Sequence, residues 1–420
     1  MGMIFLILWG FLLVISFKRR NDLFSPLKIF LLNFLVFWGA IFYNDYSFKV
    51  YIYVLFVILF GFVIWYFEGS SLNLYYREKV FIRKRKMLWV KLWLLTIIPV
   101  FSQFYLINLF GGLEGYVASM TLRVKEWEGL GVWIVLIRSI LVINLIYFIL
   151  IVKLAKTTKS EKFFYILNFL IFVLVSLLTS SRSTLLVNIF LMFIIYYYYV
   201  RRINVRNLII IGFCLLLIAM IMGTARNGYS FENGKFTTGL SQKNEIKFEA
   251  SNFEYGIFPL TKITKVPAIK NHYYGLTYLS AISNLIPRKI WPEKPDTGGV
   301  LFTKDYHNVH NGYSNYSTGF IVEGIMNFGM LGGTLLAFFL LFFIYRWFFI
   351  YSLKKRVFYN LQSAVIYFIV YPVLLFLIPT FLHGEFTTVV HSIIIYKILL
   401  IVLFVKFVIP SKIPYTEFND

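Results

Sequence analysis

Long apolar stretches recur along the whole chain, and the loops between them place their Lys and Arg almost wholly on one side. Runs of roughly 17–25 apolar residues have no use in a soluble core but fit the thickness of a bilayer. Such runs must also satisfy their backbone polar groups internally, which makes them helices. The pattern yields about 11 spans, near 1–17, 27–43, 48–67, 87–110, 130–152, 163–179, 184–200, 207–223, 320–350, 357–382 and 386–409. The expected fold is an all-α polytopic membrane protein.

Composition removes the soluble alternative. The chain is 59% hydrophobic, 20% aromatic and only 14% charged, too apolar to cover a water-facing surface. Its net charge of +22 sits largely beside membrane spans, so it reports orientation and anionic lipid rather than nucleic acid. Cys214, the single cysteine, lies inside an apolar span and permits no intrachain disulfide. Met1 to Phe17 is uncharged and Lys18, Arg19 and Arg20 come after it, the reverse of a cleaved signal. An uncleaved first helix with its N terminus outside is expected.

Loops 18–26, 68–86, 153–162, 201–206 and 351–356 hold basic clusters such as Arg83-Lys84-Arg85-Lys86 and Lys354-Lys355-Arg356. The opposite short loops hold only Lys49, Arg123, Lys125 and Arg182. The positive-inside rule then fixes an odd number of spans and a cytoplasmic C terminus. The chain divides into three segments: an eight-helix bundle over 1–223, a long extracytoplasmic loop over 224–319, and a three-helix segment over 320–420. In the loop, Tyr273 to Ile286 is apolar but too short to span, so an interfacial or re-entrant helix is expected. Pro287, Pro292 and Pro295 stiffen the stretch from Ile286 to Pro295. Ser317 or Thr318 can cap the next helix, which is long enough to tilt or to begin above the membrane.

Four arginines share one height in this topology: Arg123, Arg138, Arg182 in the turn Ser180-Ser181-Arg182-Ser183, and Arg226. An intramembrane or interfacial arginine is costly unless paired or solvated. Its planar fork suits bidentate phosphate binding, and a diphosphate needs more than one such donor. Helix anchoring in headgroups explains Arg123 and Arg182 equally, and snorkelling or pairing with Glu114, Glu126 or Glu128 explains Arg138. Glu323, Glu385 and His383 lie at the same outer boundary, where a shielded carboxylate can accept a hydroxyl proton. Glu323 can equally be a helix N-terminal carboxylate or an ion-pair partner. His272, His307 and His310 are the other base candidates. His307 and His310 with Asp305 are too loosely spaced for a metal site, and no metal or other cofactor is expected. Tyr273, Tyr274, Tyr278, Trp291, Tyr306, Tyr313 and Tyr316 can stack on sugar rings or simply anchor at the interface. His391 and Lys397 lie deeper, where pairing within the bundle is the simpler reading.

The chain resembles the Wzy-type O-antigen polymerases, or oligosaccharide repeat unit polymerases. The similarity lies in Gly111-Gly112-Leu113 followed by Arg123, the Ser-Ser-Arg-Ser turn, and Ala225-Arg226-Asn227-Gly228. It continues in Ile286-Pro287-Arg288-Lys289-Ile290-Trp291-Pro292-Glu293-Lys294-Pro295, then Ser317-Thr318-Gly319, Glu323 and Asn327-Phe328-Gly329. The resemblance implies glycosyl transfer at the outer face of the bacterial plasma membrane. A polyprenyl-pyrophosphate-linked glycan is the implied donor, a lipid-linked repeat unit the acceptor, and a chain-length regulator a conceivable partner. In that chemistry Arg138, Arg182 and Arg226 take the diphosphate, and Arg288, Trp291 and Tyr313 contact glycan. Glu323 is the expected base, with His310 behind it. An O-antigen ligase-like transferase and a non-enzymatic flippase of lipid-linked glycan are the rival expectations.

Overall fold

A computed structural model describes residues 1–19, 22–68, 79–80, 85–121, 126–127, 129–179, 182–204, 206–207, 210, 212–213, 229–232, 235–238, 254–265, 272–286, 288, 290–307, 316–353, 358–413 and 417–418. The chain is a helical membrane protein. By length and composition six helical stretches among the described residues are sufficient to cross a bilayer: Phe48–Glu68, Lys86–Leu109, Gly131–Lys153, Lys159–Leu178, Gly319–Arg346, which is interrupted at Phe328 and Gly329, and Phe386–Val408. Shorter apolar helices cover Gly2–Lys18, Pro26–Phe42, Leu185–Tyr199 and Leu361–Leu375. The expected span 207–223 lies almost wholly outside the described residues.

Two compact units are each assembled from three stretches of chain. The first joins Met1–Asn73, Phe248–Lys355 and Leu374–Ile395. Its opening helices, Gly2–Arg19, Pro26–Trp38 and Phe48–Glu68, pack on one another. Ser25 caps the second by accepting from the Lys28 amide at 3.4 Å, and Pro26 takes the first helical position, where a missing N–H costs nothing. Gly61 lets the three helices close up. A Cβ there would stand 3.0 Å from Leu12 and 3.1 Å from Phe30. The Trp38 indole donates to the Leu382 carbonyl at 3.0 Å, tying the short Leu377–His383 helix to this group.

The stretch Gly319–Leu353 is not one continuous rod. Phe328 and Gly329 leave helical geometry, Gly329 with φ 77° and ψ 177°, and two helices meet there. They fold back on each other, because Gly324 lies against the backbone of Gly333 and the Cβ of Ala337. The span expected over 320–350 is therefore a hairpin with one short and one long arm. The short arm covers only about 15 Å at 1.5 Å per residue, half the hydrocarbon thickness. Its C-terminal carbonyls cannot be left to lipid. Met326 and Asn327 accept from the amides of Tyr273 (3.2 Å) and Tyr274 (3.1 Å), and the Asn327 side chain accepts from Gly275 N–H at 2.9 Å. Ser317, expected as a helix cap, donates instead to the His383 carbonyl.

The segment contributing those amides leads into the helix Leu276–Ser283. Its amphipathicity is reversed relative to a soluble helix. Thr277, Ser280 and Ser283 are fully buried, while Leu276, Leu279, Ile282 and Leu285 are exposed. Turning leucine outward and serine inward makes sense only where the surroundings are apolar. A short helix thus stands within the stretch Tyr273 to Ile286, where a short element was expected.

The second unit joins Leu74–Lys247, Arg356–Val373 and Tyr396–Asp420. Gly131–Lys153 is its axis, buried almost continuously from Ile137 to Leu150 and packed against Lys86–Leu109, Lys159–Leu178 and Arg182–Tyr199. A helix apolar on all sides belongs at such a centre. Asn144, a polar residue within its buried stretch, is matched rather than exposed. Asn144 Nδ2 donates to Asn168 Oδ1 (3.2 Å), Asn168 Nδ2 to Thr96 Oγ1 (2.9 Å), and Asn188 Nδ2 to Asn144 Oδ1 (3.3 Å). Four helices are thereby joined by a ladder that is fully desolvated. Thr158 and Glu161 form a capping box at the start of Lys159–Leu178. A short antiparallel hairpin, Tyr229–Glu232 with Lys235–Thr238, opens the long loop and was not expected from the sequence.

Candidate functional site

The first unit gathers two carboxyl groups into one dry enclosure. Glu323 projects from the short arm of the hairpin and is 0% exposed; Glu385, which precedes the last helix, is 4% exposed. Glu323 Oε2 accepts from the Phe386 amide at 2.7 Å, so it grips the residue next to Glu385. Its other oxygen faces Gly298, where a Cβ would stand 3.3 Å from Oε1. The backbone of Gly299 hydrogen-bonds Glu385. Both carboxyls thus converge on the first residues of the helix Gly298–Asp305, whose free N–H groups favour negative charge. The missing Cβ at Gly298 leaves room for the Glu323 carboxyl. Burial pushes the Glu385 carboxyl up to about 7, against the opposing hydrogen bond from Gly299. Tyr278 is raised by burial and then by the charge of Glu323. Tyr255 is raised by burial, with the charge of Glu385 adding to it.

A polar collar surrounds this pair. Asn327 Nδ2 donates to Thr277 Oγ1 at 2.7 Å and to the Glu323 carbonyl at 2.8 Å. Ser280 and Thr387 share a hydroxyl–hydroxyl bond of 2.9 Å, and His391 Nε2 contacts the Ala281 carbonyl at 2.7 Å. His383 stacks on Phe37 with ring centroids 3.9 Å apart. Tyr255 and Tyr316 stack at 5.0 Å. Glu323 therefore sits behind a closed wall. An acceptor hydroxyl reaches its carboxyl only if the segments around Gly298 or Phe386 move apart.

The second unit holds the described part of the arginine set. Arg138 lines a cavity of about 170 Å³ with Trp127, Ile134, Ile137 and Thr179. Thr179 stands three residues before Arg182, which opens the next helix. Tyr396 and Lys397 lie within electrostatic reach of Arg138, so two cations share this region. The Arg182 side chain, and Arg123, Arg226, His310 and Tyr313 as whole residues, lie outside the described residues.

Arg288 is engaged within its own loop. It donates to the Pro292 carbonyl (3.1 Å) and pairs with Asp296 (2.6 Å), fastening the proline-rich stretch together. Trp291 is 36% exposed on that loop, beside the more exposed Ile290. Tyr273 hydrogen-bonds Asp305, and His307 lies edge-on to Phe258 at 5.2 Å. His272 packs beneath Gly329 and Tyr274. Sequence reasoning missed the dependence of Glu385 on the Gly298-Gly299 pair and the asparagine ladder. The signals were a glycine doublet at a helix start and one Asn inside each of three apolar runs. No protein-family model, curated protein or solved structure matches the chain.

Proposed function

We propose that the chain is an oligosaccharide repeat unit polymerase of the plasma membrane, joining polyprenyl-pyrophosphate-linked glycans at its outer face. The observation that carries this reading is the cavity of about 170 Å³ that Arg138 lines together with Thr179, which precedes Arg182 by three residues in the sequence. A guanidinium lining a cavity inside a membrane bundle suits an anionic group. A departing diphosphate is such a group. The acceptor hydroxyl oxygen attacks the anomeric carbon, the bond from that carbon to the diphosphate breaks, and the diphosphate leaves with the electron pair. Guanidinium forks of Arg138, Arg182 and Arg226 stabilise that growing charge. The hydroxyl proton needs a carboxylate, and Glu323 is the residue that the resemblance assigns to that role, with Glu385 as its neighbour within the first unit.

The topology belongs to the same proposal: about 11 spans, N terminus outside, C terminus cytoplasmic. Arg288, Trp291 and Tyr313 take the glycan, and His310 is the reserve base. The test is product analysis by mass, using the purified full chain and one defined lipid-linked repeat unit. Polymer of increasing length is the expected product. Unchanged repeat unit, or transfer only to a non-repeat acceptor, sinks the polymerase reading, the latter in favour of a ligase-like transferase.

A further inference from the structure

The groove between the helices Lys86–Leu109 and Lys159–Leu178 is, we propose, a binding site for one anionic glycerophospholipid. Its volume is about 970 Å³, and it lies entirely within the second unit. The inference is independent of any glycosyl transfer. Along its length Val90, Leu94, Ile97 and Phe164 are each exposed by more than 40%. Both bounding helices are of membrane length, so these side chains meet acyl chains. Trp93 and Tyr147 form further wall, and the ring of Trp89 stacks on Tyr147 at 4.9 Å.

Polarity changes abruptly at one end. Arg85, Lys86, Thr158, Ser160 and Glu161 rim the mouth, and Lys159 and Lys162 adjoin them in sequence. Glu161 is fully engaged there and does not oppose an anion freely. It accepts from Trp89 Nε1 (2.9 Å) and the Thr158 amide (2.8 Å), and it pairs with Arg85 Nε (2.8 Å). Those bonds hold the Arg85 guanidinium at the rim, beside Lys86. The rim therefore presents excess positive charge and hydroxyl donors directly above an apolar channel. A phosphodiester above two acyl chains has the same order of parts. The channel opens sideways to the bilayer, so the ligand's chains stay within the membrane. That favours a phospholipid over a soluble phosphate.

The full chain, purified in mild detergent, should retain phosphatidylglycerol over phosphatidylcholine of identical chains, read by native mass spectrometry. Lys86→Gln should lower that preference roughly fivefold, the share of one cation at a charged headgroup. In vesicles, phosphatidylglycerol brominated on its chains should quench tryptophan emission at low mole fraction. Part of that quenching should vanish in Trp93→Phe, a conservative change that keeps the wall filled. Equal retention of the two lipids overturns the proposal, as does quenching that Trp93→Phe leaves unchanged. Displacement of the bound lipid by millimolar inorganic phosphate, or by a polyprenyl phosphate at equal concentration, also overturns it.

Discussion

Gly324 and Gly333 face each other across the hairpin so closely that a Cβ on either would run into the backbone of the other. Small residues at such crossings let helix backbones approach, the usual device for packing in a membrane. Gly333→Ala should destabilise the protein by about 1–3 kcal/mol, since backbone cannot yield as a side chain can. Gly332→Ala is the matched control, because its Cβ would stand at an ordinary 3.7 Å from Phe328. Thermal unfolding in detergent separates them: a clear drop for the first, little change for the second.

The reversed helix Leu276–Ser283 predicts a sidedness that a soluble protein would not show. Leu279 is 42% and Ile282 63% exposed, yet both should be hidden from water in the bilayer. In a Cys214→Ser background, Ile282→Cys should resist a membrane-impermeant thiol reagent in vesicles and react once detergent and heat unfold the chain. Rapid labelling of intact vesicles would remove the helix from the membrane. Leu279→Asp should cost about 1–3 kcal/mol in lipid.

The ladder through Asn144 and Asn168 should show real but modest coupling. Interhelical hydrogen bonds in membranes average about 0.6 kcal/mol and reach about 1.7, because the unfolded chain finds other partners there. A double-mutant cycle with Asn144→Ala and Asn168→Ala, read by denaturant titration in mixed micelles, should fall in that range. A coupling of zero would mean the pair contributes position only.

Glu385 sets the sign of the pH response. Its carboxyl is raised to about 7 by burial, from an ordinary value of 4.5. Between those values the folded protein holds a proton that the unfolded chain has released, so stability falls as pH rises through the window. Glu385→Gln keeps an acceptor for the Gly299 amide and removes the charge. Its melting temperature should decline less steeply from pH 5 to 8 than that of the wild type. A parallel decline in both proteins would assign the pH response elsewhere.

Arg182→Lys and Arg226→Lys test the diphosphate role most directly. A point charge replaces a fork, so polymer formation should fall by tenfold or more while single-repeat products persist. Wild-type chain lengths in both variants would remove these residues from the site.

Much of the helical layout was legible because hydropathy and helix length measure the same thing, bilayer thickness. The runs ending at Glu68, Leu109, Lys153 and Leu178 were of that kind. Tyr273 to Ile286 was legible for the opposite reason: it was apolar but short. The reversal at Phe328–Gly329 was hidden, because both arms are apolar and a running average passes straight over the turn. The cluster Gly324, Gly329, Gly332 and Gly333 was its signature, one that span-counting smooths away. The hairpin Tyr229–Glu232/Lys235–Thr238 likewise has a local cue in the sequence, the Asn233-Gly234 pair. Glu323 and Glu385 were both placed at the outer boundary. Their meeting at the Gly298–Asp305 helix depends on a non-local crossing that no spacing in the sequence encodes.

The grip of Glu323 on the Phe386 amide spans 63 residues of chain, and it has a consequence for biogenesis. While the ribosome is still making the last helices, Phe386 does not yet exist as a donor. The hydrogen bond that satisfies Glu323 therefore cannot form until the chain has been made through Phe386, so the closure of this enclosure is among the late steps of folding.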